Sequence, residues 1–480
     1  MPALTLPPDP SRPLRDRLFD LGVEFPCGGE TGCGGCRVRV LSGDVPVTSL
    51  MRTVLSAAEL EAGWRLGCEA LSSGAVTLDI GQWSPAVLDD VAPVPIEPRP
   101  GFGAAVDVGT TTIVVQRVRL ETGEVEATET AINPQARHGA DLMSRIRYDL
   151  EHPGELRALL HECLDAMLSR LAPPEGFAEI LACGNTVMHH LCCGFSVAPL
   201  AAVPFESPNL GVAEIFVGSR RLRFLPCLGG FVGSDLTAGA IAVGLHRSPT
   251  AAALIDLGTN GEILAGSTAG ILCASTAAGP AFEGGRISRG MRAATGAIEA
   301  VHLSGDGYAV RVVGGAPPRG ICGSGLVDAA AAGLLNAALR PNGRLRDGEP
   351  IRLAPEVEIT QSDIRELQLA KGAIAAGLAL LARASGAAPA RLWLAGAFGN
   401  SIHPPAARAI GLLPEDLPVT PVGNAALRGT RALLLSPSTR QAQLAALIRL
   451  CRHVELASLP GFEDAYAASM ALAPFRLDGT

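Results

Sequence analysis

The sequence predicts two folds in series, a small α+β unit followed by a much larger α/β module assembled from two similar halves. Three observations carry that prediction. Near the N-terminus, short helix-like and strand-like segments surround a glycine- and cysteine-rich loop, PCGGETGCGGCRVRV. A stretch with prolines at 85, 93, 95, 98 and 100 follows, which no sheet interior accommodates. Beyond it the chain opens twice on one pattern, AAVDVGTTTIVVQRV from Ala104 and ALIDLGTNGEILAG from Ala253.

The bulk composition narrows the function classes. A chain of 480 residues with 48% hydrophobic content is long enough for two or three packed domains. A net charge of -8, with no Lys/Arg cluster and no interleaved aromatic stripe, argues against nucleic acid as a partner. The start, MPALTLPPDP, has prolines where a signal peptide needs an apolar run, and no uninterrupted apolar run approaches the ~18 residues of a membrane span. The expectation is a cytoplasmic protein with no membrane partner. Twelve cysteines are too sparse for a disulfide scaffold, so they read as thiols or metal ligands. Among 39 basic residues there is a single lysine, Lys371.

Residues 1–82 read as the first unit: a short helix on Leu14, Leu18 and Leu21, the cysteine loop, a strand over 37–41, a helix near 56–62 and a last strand over 76–80. Residues 83–101 read as a semi-rigid proline linker. The module 102–480 divides into lobes of about 102–250 and 251–480. Each lobe begins with an apolar strand, an Asp-x-Gly-Thr turn and a second strand, the mark of a duplicated α/β subdomain. Apolar helices over 328–339 and 363–383 fit sheets covered by helices.

In the loop, Cys27, Cys33 and Cys36 are separated by five and two residues, and Cys68 follows after 31 intervening residues in RLGCEA. Three ligands on one glycine-rich loop plus one distant cysteine is how a plant-type [2Fe-2S] cluster is held, with backbone N–H groups pointing at the sulfides. Glycines at 28, 29, 32, 34 and 35 permit that close backbone approach. A four-cysteine zinc site competes, but zinc sites usually take two CxxC knuckles and this loop has one. The unit is thus ferredoxin-like, with one departure. The two strands that normally precede the loop are compressed into PALTLPPDP, so the first hairpin is expected to be truncated or missing. The other cysteines, at 163, 183, 192, 193, 227, 273, 322 and 451, read as buried small hydrophobes.

The turn Asp107-Val108-Gly109-Thr110-Thr111-Thr112 offers hydroxyls and backbone N–H groups to phosphates, and a carboxylate for hydrated Mg²⁺. Asp256-Leu257-Gly258-Thr259-Asn260-Gly261 supplies the same chemistry from the other lobe, making a clamp. A third glycine turn, Gly396-Ala397-Phe398-Gly399, follows the strand RLWLA. Gly323, Ser324 and Gly325 open directly onto the helix LVDAAAAGLL, where the N-terminus reads either as an anion cradle or as a packing turn. Lys371 lies in the helix ahead of the third turn, as a nucleotide contact or a structural one.

These residues, with INPQARHGADLMSRI, GNTVMHHLCCG, CASTAAGPAFEGGRI, GICGSGLVDA, QLAKGAI and LAGAFGN, resemble the acetate and sugar kinase, heat-shock chaperone and actin superfamily, and within it the corrinoid-protein reductive activators. The resemblance implies an actin-like (ASKHA, duplicated RNase H-like) ATPase that reduces a corrinoid protein from inactive Co(II) to Co(I) for methyl transfer or O-demethylation. It implies cluster ligation by Cys27, Cys33, Cys36 and Cys68, and an ATP and Mg²⁺ site on Asp107, Thr110, Asp256, Thr259 and Gly396. The implied partners are a corrinoid protein as electron acceptor and a low-potential donor; homodimerisation is left open. Larger members carry an extra domain between cluster and ATPase, where only the proline linker is expected here. The competing functions are activation of another low-potential enzyme, such as a radical-type dehydratase, and redox-sensing, nucleotide-dependent binding. A small-molecule kinase would leave the cluster domain idle.

Overall fold

A computed structural model describes residues 4–477 except 10, 22, 24, 26–33, 81–89, 140, 259 and 306. By internal contacts the chain forms two compact units, Met1–Ala86 with Ala136–Asp141 and Pro280–Leu367, and Val87–Gln135 with Leu142–Gly279 and Gln368–Thr480. In this division the segment Pro280–Leu367 groups with the N-terminal domain.

That domain contains strand β1 (Leu4–Leu6), helix α1 (Leu14–Asp20), strand β2 (Arg37–Ser42), helices α2 (Ser49–Val54) and α3 (Ala57–Glu61), and strands β3 (Trp64–Leu66) and β4 (Val76–Asp79). The sheet order is β1-β4-β2-β3, antiparallel throughout. Val38, Leu66 and Leu78 on the sheet and Leu18 on α1 are fully buried, so the alternate positions of the strands and one face of the helix supply the core. Three-residue β1 stands where a ferredoxin hairpin would precede the cysteine loop. Helix α3 starts in a capping box: the Ser56 hydroxyl accepts from the Glu59 N–H, and the Glu59 carboxylate accepts from the Ser56 N–H.

The second unit opens with β5 (Phe102–Val108), β6 (Thr112–Arg119) and β7 (Val125–Ile132), then α4 (Leu142–Glu151), α5 (Glu155–Leu171), β8 (Phe177–Cys183), α6 (Thr186–Cys193), β9 (Ala213–Val217) and β10 (Arg220–Phe224). The sheet runs β7-β6-β5-β8-β10-β9. Helix α7 (Ser234–Val243) leads to β11 (Ala252–Leu257), β12 (Gly261–Ser267) and β13 (Gly270–Thr276). The insertion that follows carries β14 (Ala297–Ser304), β15 (Gly307–Val312), β16 (Gly320–Ile321), α8 (Gly323–Leu335), β17 (Ile351–Ala354) and β18 (Val357–Ile359). The chain continues through α9 (Gln361–Ser385), β19 (Leu392–Ala395), α10 (Gly396–Ser401), α11 (Pro404–Ala409), β20 (Val419–Pro421), α12 (Ala425–Leu435), α13 (Pro437–Leu450), β21 (Cys451–His453) and α14 (Phe462–Ala468). The second sheet runs β20-β19-β11-β12-β13-β21.

The duplication is visible in the pairing. In each sheet an antiparallel meander, β5-β6-β7 or β11-β12-β13, has a parallel strand on the far side of its first member, β8 or β19, and a further parallel strand beyond that. One core cluster joins the halves, drawing Ala105 and Leu181 from the first sheet, Leu254 and Leu264 from the second, and Leu236 and Leu427 from α7 and α12. At the helix crossing a Cβ on Gly429 would lie 1.8 Å from the Ala238 carbonyl oxygen, so only glycine permits this approach. Helix α9 is long and apolar enough to cross a membrane by length and composition, yet 72% of its apolar window is buried inside the protein, as in a core helix.

Candidate functional site

Cys27 and Cys33 lie outside the described residues, so the cysteine site is built from Cys36 and Cys68. Cys36 precedes β2, and Cys68 sits in the 3-10 turn Gly67–Glu69. The Gly67 N–H donates to the Cys36 carbonyl at 2.7 Å, which locks the two segments in register. Their thiols are 3.2 Å apart and only 2% and 5% exposed. A disulfide would place the sulfurs about 2.05 Å apart, whereas metal–thiolate bonds of ~2.3 Å let one ion reach both. The Cys68 N–H also points at the Cys36 sulfur, at 3.5 Å. Gly34, at φ +63, lies where a Cβ would meet Val54 at 2.8 Å. These residues fit an iron–sulfur group.

In the second unit, a Cβ on Gly109 would lie 2.4 Å from the Thr112 carbonyl oxygen, so only glycine closes the β5–β6 turn. The Asn133 amide donates to the Gly109 carbonyl at 2.9 Å, the Asn133 N–H to Thr111 at 2.9 Å, and buried Arg145 to Thr110 at 2.5 Å. Three successive carbonyls are thus held by two side chains and a backbone amide, which fixes the turn. Asp107 is the penultimate residue of β5, and its Oδ2 accepts from Asn424 Nδ2 at 2.9 Å.

Asp256 occupies the matching place on β11. Gly396 has φ +85 and approaches so closely that a Cβ would lie 2.7 Å from Asp256 Oδ1. The structure therefore brings the third glycine turn against the second aspartate; Ala397 and Gly399 follow within α10. Gly258 and Asn260 close the β11–β12 turn through an N–H to carbonyl bond of 3.1 Å, while Thr259 lies outside the described residues.

Two further carboxylates join Asp107 and Asp256: Asp235 in the first turn of α7, and Glu262 on β12 directly opposite Asp256. Burial pushes Asp107 up to about 6, with the Asn424 hydrogen bond opposing. Burial, then the Asp107 charge, push Asp256 up to about 7. Asp235 and Glu262 are raised as well, by burial first and then by their acidic neighbours. Among the described residues no basic side chain pairs with any of the four, and no three acidic, histidine or cysteine groups converge closely enough to chelate a bare ion. An unneutralised site of this kind attracts a cation that brings its own ligands, such as water and phosphate oxygens.

The sequence reading missed Asp235, Glu262 and the two asparagines that steady the acids. Asn185 caps α6 and donates to Glu262 Oε1 at 3.2 Å; Asn424 caps α12 and donates to Asp107. Each helix cap thus holds a carboxylate on the opposite half. The repeated Gly-Asn pairs, 184–185 and 423–424, were the available signal.

Two further expected site groups make packing contacts of their own. Gly323, Ser324 and Gly325 lie in the other unit, where a Cβ on Gly323 would meet the Phe282 carbonyl oxygen at 2.1 Å and one on Gly325 that of Ile298 at 2.2 Å. The Ser324 hydroxyl donates to Glu299 O at 2.8 Å, so this segment is built for close packing. Lys371 is buried, and its ammonium donates to the carbonyls of Ala471 at 2.5 Å and Gly411 at 3.3 Å. Burial lowers it to about 8. It ties α9 to the C-terminal segment.

Fold and site together define an iron–sulfur domain joined to an actin-like ATP-binding module. Family models agree along the chain: "2Fe-2S iron-sulfur cluster binding domain" matches residues 5–73, "RACo middle region" 102–248, and "C-terminal domain of RACo the ASKHA domain" 250–478. The corrinoid activation enzyme RamQ of Eubacterium limosum is 33% identical over 434 residues, covering 78% of this chain and 71% of the relative. The [Co(II) methylated amine-specific corrinoid protein] reductase of Methanosarcina barkeri is 28% identical over 388 residues, covering 70% of each. A solved reductive activator for corrinoid, iron-sulfur protein superposes with TM-score 0.68 at 25% identity, covering 98% of both chains. The chain belongs to the family of corrinoid-protein reductive activators.

Proposed function

We propose that this chain uses ATP to reduce the cobalt of a corrinoid protein from Co(II) to Co(I), keeping a methyl-transfer system active. The observation that carries the reading is the coexistence of two buried thiols 3.2 Å apart and an acidic site with no cationic partner among the described residues. Cys27, Cys33, Cys36 and Cys68 would hold the cluster, which when bound supplies one electron at a time. Thr110, Thr111, Thr112 and Gly109 would receive phosphate oxygens on one side, and Gly258, Thr259, Asn260 and Gly396 on the other. Asp107 and Asp256 would hold hydrated Mg²⁺ or orient the attacking water, steadied by Asn424 and Gly396.

The reading also explains why the two modules share a chain. Plant-type clusters sit near about -400 mV, and each ~100 mV uphill costs about 2.3 kcal/mol per electron. Binding of ATP between the two acidic turns would draw the halves of the module together, favouring a docked state in which the corrinoid is easier to reduce. A low-potential donor refills the chain, in the cytoplasm. The test is the visible spectrum of a partner corrinoid protein mixed with holoprotein and a low-potential donor. Co(I) is expected to accumulate with Mg·ATP; equal accumulation without nucleotide overturns the coupling.

A further inference from the structure

Within the first unit, two carboxylates of the N-terminal domain meet two arginines of the insertion across 230 and 240 residues of sequence. Arg289 Nη1 donates to Glu59 Oε1 at 2.6 Å, and Arg319 donates from both terminal nitrogens to Asp79 at 3.1 and 2.6 Å. The acidic side chains are 13% and 19% exposed, so these pairs are shielded more than ordinary surface pairs. Both arginines flank one backbone element. The Arg289 carbonyl accepts from the Ile321 N–H at 2.8 Å, and Arg319 immediately precedes β16. The N-terminal domain is therefore gripped at the strand that enters α8.

Glu59 also reaches the residue that follows Cys36. Arg37 Nε lies 3.4 Å from Glu59 Oε1, and Arg37, the residue after Cys36, donates from Nη1 to the Gly34 carbonyl at 2.6 Å. We propose that the insertion is the docking platform of the iron–sulfur domain, and that docking through Glu59 shifts the cluster's reduction potential. This rests on the [2Fe-2S] reading. Docking sets the Arg289 guanidinium against Glu59, adding one positive charge next to Arg37 and Gly34. Positive charge favours the more negative, reduced cluster, so docking raises the potential and release makes the domain a stronger reductant.

The test uses full-length holoprotein, with hydrogen–deuterium exchange over 56–61 and 286–292 and a redox titration followed by electron paramagnetic resonance. Arg289→Gln is expected to lose protection in both segments and to move the potential to more negative values. Arg319→Gln is expected to lose the same protection. Arg289→Lys keeps the positive charge and leaves the Ser56–Glu59 cap intact, so protection and potential should both stay near the wild-type values. Unchanged exchange in Arg289→Gln, a shift to more positive potential, or an Arg289→Lys variant as displaced as Arg289→Gln, in a protein with an intact cluster spectrum, overturns the proposal. Absence of a [2Fe-2S] signal in the wild type would sink the cluster reading instead, while the exchange result would still decide the docking.

Discussion

Two groups of buried charge lie in the second unit, and they are built on opposite plans. Around Asp90 everything is paired. Arg428 donates to its carboxylate through Nε at 2.9 Å and again through Nη2, while Arg431 reaches Oδ1 at 3.4 Å and also binds the carbonyls of Asp90 and Ala92. Gln116 closes the group, donating to the Asp90 carbonyl at 2.9 Å and accepting from Arg431 at 3.0 Å. Asp107, Asp235, Asp256 and Glu262, by contrast, face one another and, among the described residues, have amides rather than cations for support. The first group uses its charge to hold the linker segment around Asp90 against α12. The second keeps its charge uncompensated, and a folded protein tolerates that where a ligand supplies the missing cation.

Substitutions should separate the two plans. The largest effect is expected on turnover: Asp256→Asn should lower ATP hydrolysis by roughly 100-fold or more, since it removes a charge placed for metal or water. Its melting temperature should hold or rise, because one of several repelling buried charges is gone. The opposite pattern is expected for Arg431→Met, which strands Asp90 beside a single arginine and should cost about 3–5 kcal/mol in denaturant unfolding, with nucleotide affinity unchanged. If both variants lose stability alike, the distinction fails.

The pH dependence of the metal-free protein sharpens the comparison. Asp107 and Asp256 are raised to about 6 and about 7 in the folded chain, above the ordinary value of 3.8, so folding takes up protons. The stability they contribute is present below the unfolded value and lost as pH rises through 6 to 7. Melting temperature measured without Mg²⁺ should therefore fall across that window, and Mg·ATP should restore it. A melting temperature that is flat there would contradict the uncompensated cluster. The smallest effect is expected for Asn424→Ala, which loses a helix cap worth about 1 kcal/mol and pushes Asp107 further up, read as a displaced pH profile of hydrolysis.

Local features of this chain were legible in the sequence. The strand expected over 37–41 is Arg37–Ser42, the helix near 56–62 is Ala57–Glu61, and the helix over 363–383 is Gln361–Ser385. Each is fixed by periodicity or a cap within its own segment. Helix α8 begins at Gly323 rather than 328, because its glycines serve close packing inside the helix rather than a turn before it. The two aspartate turns were legible because they repeat. Asp235 and Glu262 were not, since an acid within two residues of a glycine looks like any turn until the fold gathers four acids together. The Glu59–Arg289 pair is a contact across 230 residues and leaves no local trace.

The central claim is that the acidic site drives electron delivery from the cysteine domain of the same chain. Co(I) formation in a partner corrinoid protein, followed in the visible with saturating low-potential donor and Mg·ATP, tests it when wild type and Asp256→Asn holoproteins are compared. The account predicts that the variant's cluster reduces normally by electron paramagnetic resonance while Co(I) formation falls by roughly 100-fold or more. Equal rates of Co(I) formation in the two proteins would contradict it.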